Sequence, residues 1–261
     1  MNVSLHEVSV SYGAVRALCG IDVEIAPGQW FAPIGPNGAG KSTLLRAIAG
    51  QLAFSGSISL GERALPISSH MRLARLVAFV PQRPELPSSM TVADYVMLGR
   101  TPYIGYLGAE KTSDRRIVSE VLDRLSLGSF AKRHLGAISG GEAQRAVLGR
   151  ALAQGAPLLC LDEPTSSLDI GHQLHVLELV DELRKERGLT VISAMHDLTM
   201  AGQFADVLCL LVSGRVVKSG DAQSVLTKEA ISLHYGASVD VNDDGAGGVV
   251  IVPRRARRET S

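Results

Sequence analysis

Residues 35–42 read Gly-Pro-Asn-Gly-Ala-Gly-Lys-Ser, a full G-x-x-x-x-G-K-[ST] phosphate-binding loop. This motif constrains the fold more than any other stretch, because it takes a strand before it and a helix after it. Gly35, Gly38 and Gly40, with Pro36, Asn37 and Ala39 between them, let the backbone curl so that successive N–H groups point inward at an anion. Lys41 reaches the β- and γ-phosphates, and the Ser42 hydroxyl is a ligand for Mg²⁺. The apolar run 30–34 precedes the loop. A helical run from Thr43 follows it, and Gly50 stands where a left-handed helix cap belongs. The phosphates would then meet a helix N-terminus, where free N–H groups and the dipole favour negative charge. A plain glycine-rich turn would explain the backbone but not the Lys-Ser ending. The loop implies a nucleoside triphosphate and leaves open what its energy is for.

The 261 residues suffice for one sizeable core with an inserted subdomain. Lys+Arg and Asp+Glu both total 26, so bulk charge does not favour wrapping nucleic acid, and 4% aromatic content is poor for base stacking. We expect no nucleic-acid partner. Cys19, Cys160 and Cys209 are scattered in apolar segments, which argues against a disulfide framework or zinc site and fits a reduced, cytosolic setting. The N-terminus lacks a basic region followed by an apolar stretch, and runs such as 207–212 are far shorter than a bilayer span.

Short strand patterns occupy 8–12, 21–25 and 57–60, and 77–80 reads as a buried strand leading into Pro81-Gln82 and a Pro/Ser-rich loop. From 91 to about 154 the texture is helical. Val92, Val96 and Leu98 fall in one run, 117–125 repeats at helical spacing, and a further helix starts near Ser139. Strands return at 158–161 and 190–194, with a helix between them carrying Leu174, Leu177, Val180 and Leu183 on one face. A hairpin pairs 207–212 with 215–217 across Ser213-Gly214. This alternation predicts an α/β fold with a mostly parallel central sheet, a β-rich N-terminal subdomain and a helical subdomain inserted at about 86–156. Residues 1–235 form the expected nucleotide-binding domain. Residues 236–261 form a hairpin and a basic tail with Arg254, Arg255, Arg257 and Arg258, either solvated or touching anionic lipid.

Residues 158–163 read Leu-Leu-Cys-Leu-Asp-Glu. A strand ending in Asp162 places that carboxylate at the edge of the sheet where phosphate loops sit, poised to hold Mg²⁺. Glu163, one residue on, projects differently and is a candidate to polarise the attacking water. Ser139 and Glu142 match a capping box, yet Gly140 and Gly141 are poor helix formers. The glycines make sense if a second anion approaches this helix N-terminus, namely a nucleotide held by another copy. His172 and His175 stand i, i+3 on a helix, a spacing open to metal, but no third ligand is evident.

In order along the chain, the 35–42 loop, Gln82, the 138–142 segment, 158–163, Ser166-Ser-Leu-Asp169 and His196 resemble the motifs of ATP-binding cassette (ABC) ATPases, with a P-loop NTPase (RecA-like) core. The resemblance covers about 1–235. It implies a homodimer with ATP sandwiched between the 35–43 loop of one copy and Ser139, Gly140, Gly141 and Glu142 of the other. It further implies that Tyr12 stacks on adenine and that Lys41 neutralises phosphate charge. Ser42 and Gln82 complete the Mg²⁺ shell, and Glu163 acts as base for water. His196 links the γ-phosphate to Glu163, and Asp169 couples the two sites across the seam. The segment from Thr91 to Pro102, and the closing 249–253 strand, are similar to importers of iron chelates, haem and cobalamin. The expected function is the ATPase subunit of an iron–siderophore-type importer. It would lie peripherally on the cytoplasmic face of the membrane with two permease subunits and, indirectly, a substrate-binding protein. The alternatives are cobalamin or haem import, or a soluble ABC ATPase of the metal-cluster-assembly type.

Pro33 departs from this pattern. It stands inside the strand that feeds the loop, where proline removes a ladder donor. Either that N–H has no partner anyway or the strand tolerates a local defect, and Pro33→Leu is expected to stabilise the fold.

Overall fold

A computed structural model describes residues 1–104, 108–165, 169–245 and 247–255. β1 (Val3–Tyr12) and β2 (Val15–Ile25) pair antiparallel and are longer than their apolar runs suggest. The register shifts between Leu5 and Val8, next to Glu7 with its φ of 50°, and this break in alternation hid the first half of β1 from pattern reading. β3 (Trp30–Ile34) leads through the phosphate loop into α1 (Lys41–Ile48). β4 (Ser55–Leu60) and β5 (Arg63–Ala64) complete a four-stranded sheet of order β2-β1-β4-β5. α2 (His70–Ala74) precedes β6 (Val77–Val80).

The helical insert holds α3 (Val92–Met97), a 3-10 turn (Leu98–Tyr103), α4 (Thr112–Arg124) and α5 (Gly140–Gln154). Leu98 does not continue the α3 face as expected. It opens the 3-10 turn, which contains Pro102, and stands exposed. A buried ion pair ties the insert together, with Arg100 Nε donating to Asp114 Oδ1 at 2.9 Å.

β7 (Leu158–Asp162), α6 (Ile170–Arg187), β8 (Thr190–Ala194), α7 (Leu198–Phe204), β9 (Val207–Val212) and β10 (Arg215–Gly220) follow. Leu177, Val180 and Leu183 of α6 are buried, whereas Leu174 is exposed, so the inward stripe begins a turn later than the sequence pattern suggested. The central sheet has the order β10-β9-β3-β8-β7-β6, parallel except for β10. β3, β7 and β8 are buried along their whole length, as strands covered on both faces must be. Alternation sorts their side chains between two cores. Trp30, Ala32 and Ile34 face the layer of α3–α7, and Phe31, Ile192 and Cys209 face α1 and the four-stranded sheet.

α8 (Ala222–Val225) and α9 (Lys228–Tyr235) lead to a hairpin of β11 (Val239–Asp243) and β12 (Val249–Pro253). The hairpin is seated on α7: the Ile251 N–H donates to Thr199 Oγ1 at 3.0 Å, and Val239 and Val249 are buried. Arg254 is ion-paired with Asp240, and Arg257 and Arg258 lie outside the described residues.

Pro33 lies in a central strand, flanked by β8 and β9. The β9 ladder runs through it, Pro33 opposite Cys209, but the β8 ladder stops at Phe31↔Ile192. Peptide groups of a parallel strand alternate sides. Trp30 bonds toward β9 through Asp206, so Pro33 faces β8, opposite the Ser193 carbonyl. The strand therefore tolerates a missing rung, and the interruption occurs just where the sheet opens into the loop.

Candidate active site

The residues after β3 wrap a pocket of about 400 Å³ lined by Asn37, Gly38, Ala39, Gly40, Lys41, Ser42 and Thr43, together with Ala17, Gln82, Glu163 and His196. Gly35 and Gly40 are required here. Both take positive φ (148° and 104°), and a Cβ on either would come within 2.1 Å of the Leu211 carbonyl oxygen or 2.7 Å of the Ala17 carbonyl oxygen, respectively. Lys41 bends back on the loop, its Nζ donating to the carbonyls of Gly35 (2.7 Å) and Pro36 (3.2 Å). Burial pushes its pKa down, opposed by the charges of Glu163 and Asp162. The ammonium is thus held among carbonyls that a phosphate can replace.

Ser42 donates to Asp162 Oδ1 at 2.8 Å, joining the start of α1 to the end of β7. Burial pushes the Asp162 carboxyl up, and the neighbouring Glu163 charge adds to this, while the Ser42 hydrogen bond opposes it. Asp162 Oδ2 is buried without a hydrogen-bond partner. Glu163 takes a left-handed backbone (φ 52°), with its N–H on the Ala194 carbonyl at 3.1 Å. That conformation turns its side chain away from the β7 alternation and into the pocket. One carboxylate oxygen meets His196 Nε2 at 2.5 Å and the other accepts from Gln82 Nε2. Glu163 is 8% exposed while the His196 side chain is 45% exposed, so the imidazole stands at the mouth and the carboxylate behind it.

Gln82 just after β6, Asp162 at the end of β7, Glu163 one residue on and His196 just after β8 therefore lie together around the phosphate loop. Tyr12 stands exposed at the end of β1 and does not line the pocket. Ser139 and Glu142 form the expected reciprocal cap of α5: the Ser139 N–H donates to Glu142 Oε2 (2.6 Å), and the Glu142 N–H donates to Ser139 Oγ (3.3 Å). Neither they nor Gly140 and Gly141 touch this chain's own pocket. A Cβ at Gly140 would meet nothing within 4 Å, so packing inside one chain does not demand glycine there. Asp169 caps α6 by accepting the His172 N–H at 2.9 Å and also pairs with the His172 ring, whereas Ser166, Ser167 and Leu168 lie outside the described residues.

Sequence reading missed two groups. Gln144, buried in α5, donates to the Pro164 carbonyl at 2.7 Å and ties the Ser139 helix to the segment just after Glu163. Its only signal was a polar residue at a helix position that turns out to face inward. Ala17, which also lines the pocket, and Gly214 both pack against the loop from segments remote in sequence, and nothing in their neighbours announced this.

Comparison with known proteins agrees with this geometry. The family model described as ABC transporter matches residues 18–166. The iron(3+)-hydroxamate import ATP-binding protein of Bacillus subtilis is 35% identical, over 93% of this chain and 91% of its own length. The hemin import ATP-binding protein of Streptomyces coelicolor is 39% identical, over 95% and 88%. The cobalamin import ATP-binding protein of Halobacterium salinarum is 37% identical over 97% of this chain, which spans 63% of that relative's length. Among solved structures, a metal-chelate type ABC transporter in an inward-facing conformation superposes with TM-score 0.83 at 27% identity, covering 97% of both chains. A dimeric, post-hydrolysis ATP-binding cassette bound to ADP and Pi superposes with TM-score 0.75 at 28% identity, covering 84% of this chain and 98% of that one. The chain belongs to the ABC transporter family, as one of its ATP-binding, ATP-hydrolysing cassettes.

Proposed function

We propose that this chain is the ATPase subunit of an importer for an iron-siderophore-type metal chelate and that it works as a homodimer on a membrane permease. The observation that carries the catalytic reading is the buried Glu163 carboxylate, held in the phosphate-loop pocket between Gln82 and the His196 ring at its mouth. The loop N–H groups and Lys41 bind the triphosphate. Glu163 accepts the proton of the attacking water, and His196 orients that carboxylate toward the γ-phosphate. Positioning and charge stabilisation supply most of the acceleration.

The residues fit Mg²⁺. Ser42, Asp162 and Gln82 offer the oxygen donors a hard cation prefers, and the partnerless Asp162 Oδ2 is the kind of atom such an ion satisfies. When bound, the ion would neutralise charge on the β- and γ-phosphates. Asp162 and Ser42 hold one another in place for it.

The open space at Gly140, beside a helix N-terminus with a satisfied cap, supports closure of this segment over the nucleotide of a second copy, with Asp169 of each copy near the seam. A groove of about 430 Å³ between α2, the 98–103 turn and α5 supports the permease reading. Met71 and Leu98 stand exposed on it, and Gln82 begins the loop that leads from the pocket into the insert. Among the described residues no helix is long and apolar enough to cross a membrane, which fits a peripheral subunit on the cytoplasmic face. The chelate assignment rests on the relatives named above and on the 91–102 and 249–253 segments. A basal domain of residues 1–235 with the insert at 86–156, followed by the terminal hairpin, is the organisation we assign.

Two measurements test this. Glu163→Gln should retain ATP affinity and lose turnover by roughly 10²–10⁴-fold; unchanged turnover rejects Glu163 as the base. Recovery of the tagged chain with a polytopic membrane protein supports transport, and recovery with soluble partners alone rejects it.

A further inference from the structure

The phosphate loop is gripped from outside by a turn more than 170 residues later in the chain. Gly214, in the β9–β10 hairpin, donates its N–H to the Ala39 carbonyl at 3.1 Å and accepts the Cys19 N–H on its own carbonyl at 2.8 Å. One residue thereby bridges the middle of the loop and β2 of the four-stranded sheet, through its two flanking peptide groups. The turn has φ of 49° at Ser213 and 73° at Gly214, the left-handed pair of a tight hairpin. There is no space for a side chain at Gly214: a Cβ would lie 2.5 Å from the Ala17 carbonyl oxygen and 2.9 Å from its carbon. The same two segments press on the loop's glycines, Leu211 against Gly35 and Ala17 with Leu18 against Gly40. Ala17 also lines the nucleotide pocket.

We propose that the Ser213–Gly214 turn is a positioning element for the phosphate loop. It fixes the Ala39 peptide, and so the direction of the loop's N–H groups, before the nucleotide arrives. This rests on the reading that the loop holds ATP. A loop whose donors are aimed in advance binds with less ordering cost, and one that must rearrange loses affinity. A Cβ at position 214 pushes the turn off Ala17 and breaks the Ala39 contact, while the catalytic group at Glu163 is untouched.

The test compares Gly214→Ala with Gly28→Ala in the full-length chain. Gly28 has nearly the same φ, 75°, but a Cβ there meets nothing within 4 Å, so it reproduces the backbone strain without displacing the loop. Expected is a rise in ATP Kd and KM of roughly tenfold for Gly214→Ala, the loss of about one phosphate contact, with kcat little changed. Gly28→Ala should lower the melting temperature comparably and leave Kd at the parent value. Equal Kd for the two variants overturns the proposal. If Gly214→Ala does not fold, Ser213→Asn decides. Asn suits the left-handed position and stiffens the turn, so tighter ATP binding supports the proposal and unchanged or weaker binding overturns it. Failure of the parent chain to bind ATP would instead reject the nucleotide reading itself.

Discussion

Asp114→Ala removes one half of the only ion pair among the described residues in which both side chains are no more than 10% exposed. Asp114 Oδ1 accepts from Arg100 Nε at 2.9 Å, and Oδ2 accepts the Lys111 N–H at 3.1 Å, closing the start of α4. Arg100 also donates to the Ala153 carbonyl at 2.8 Å at the end of α5, and its guanidinium lies 4.1 Å from the Tyr103 ring centroid. The Arg100–Asp114 pair thus joins the 98–103 turn, α4 and α5. Its removal leaves the guanidinium buried without a counter-charge, a loss of about 3–5 kcal/mol. For a chain of this size that is roughly 6–20 °C in melting temperature. The double change Arg100→Met/Asp114→Leu removes both charges and should recover most of the loss. Acid sensitivity gives an independent reading. Arg100's hydrogen bond, then that of the Lys111 N–H, hold the Asp114 carboxyl below its ordinary value of 3.8. The stabilisation is therefore complete above 3.8 and is lost as pH falls through the lower folded value. Chemical denaturation between about pH 7 and about pH 2 should show this part of the slope vanish in Asp114→Asn. A loss below about 1 kcal/mol for Asp114→Ala, or a double variant as unstable as the single one, refutes the argument that a buried charge is being uncovered.

Pro33→Val should raise the melting temperature without altering ATP affinity. It restores one N–H facing the Ser193 carbonyl, worth about 0.5–1.5 kcal/mol, and Val fits the fully buried position with less overpacking than Leu; a lower melting temperature counts against the missing-rung account. Gly140→Ala should leave the fold as stable or slightly more so, since its Cβ enters open space, and should reduce ATPase turnover at least about tenfold. Undiminished turnover would remove the main structural support for closure by a second copy.

Much of this protein was legible in its residues because the relevant physics is local. Glycines that must curl, a lysine and serine at a helix start, Ser139 and Glu142 three apart, and a carboxylate ending an apolar strand each state their geometry within a few positions. The places where pattern reading slipped are those where a neighbour intervenes. Leu98 and Leu174 continue a helical apolar period yet stand in the open, because the 3-10 turn and the late start of the α6 stripe are set by what packs beside them. Gly140 shows the opposite case, a residue whose local role is plain and whose identity no contact within the chain explains.

The sequence by itself determined the strand–loop–helix that binds phosphate, the order of motifs and hence the family. Tertiary structure decided how those motifs meet. Only the parallel sheet brings the residues following β6, β7 and β8 to one edge, and only the left-handed backbone at Glu163 turns its carboxylate between Gln82 and His196. Pro33 was a conflict until strand order showed that its missing donor faces β8, where the ladder ends. The grip of Gly214 on Ala39 joins segments far apart in sequence, and its geometry is set by close backbone approach, for which a glycine in a hairpin turn carries no distinctive mark. Local conformational preference can be read along a chain, but contacts between distant backbones are settled by packing.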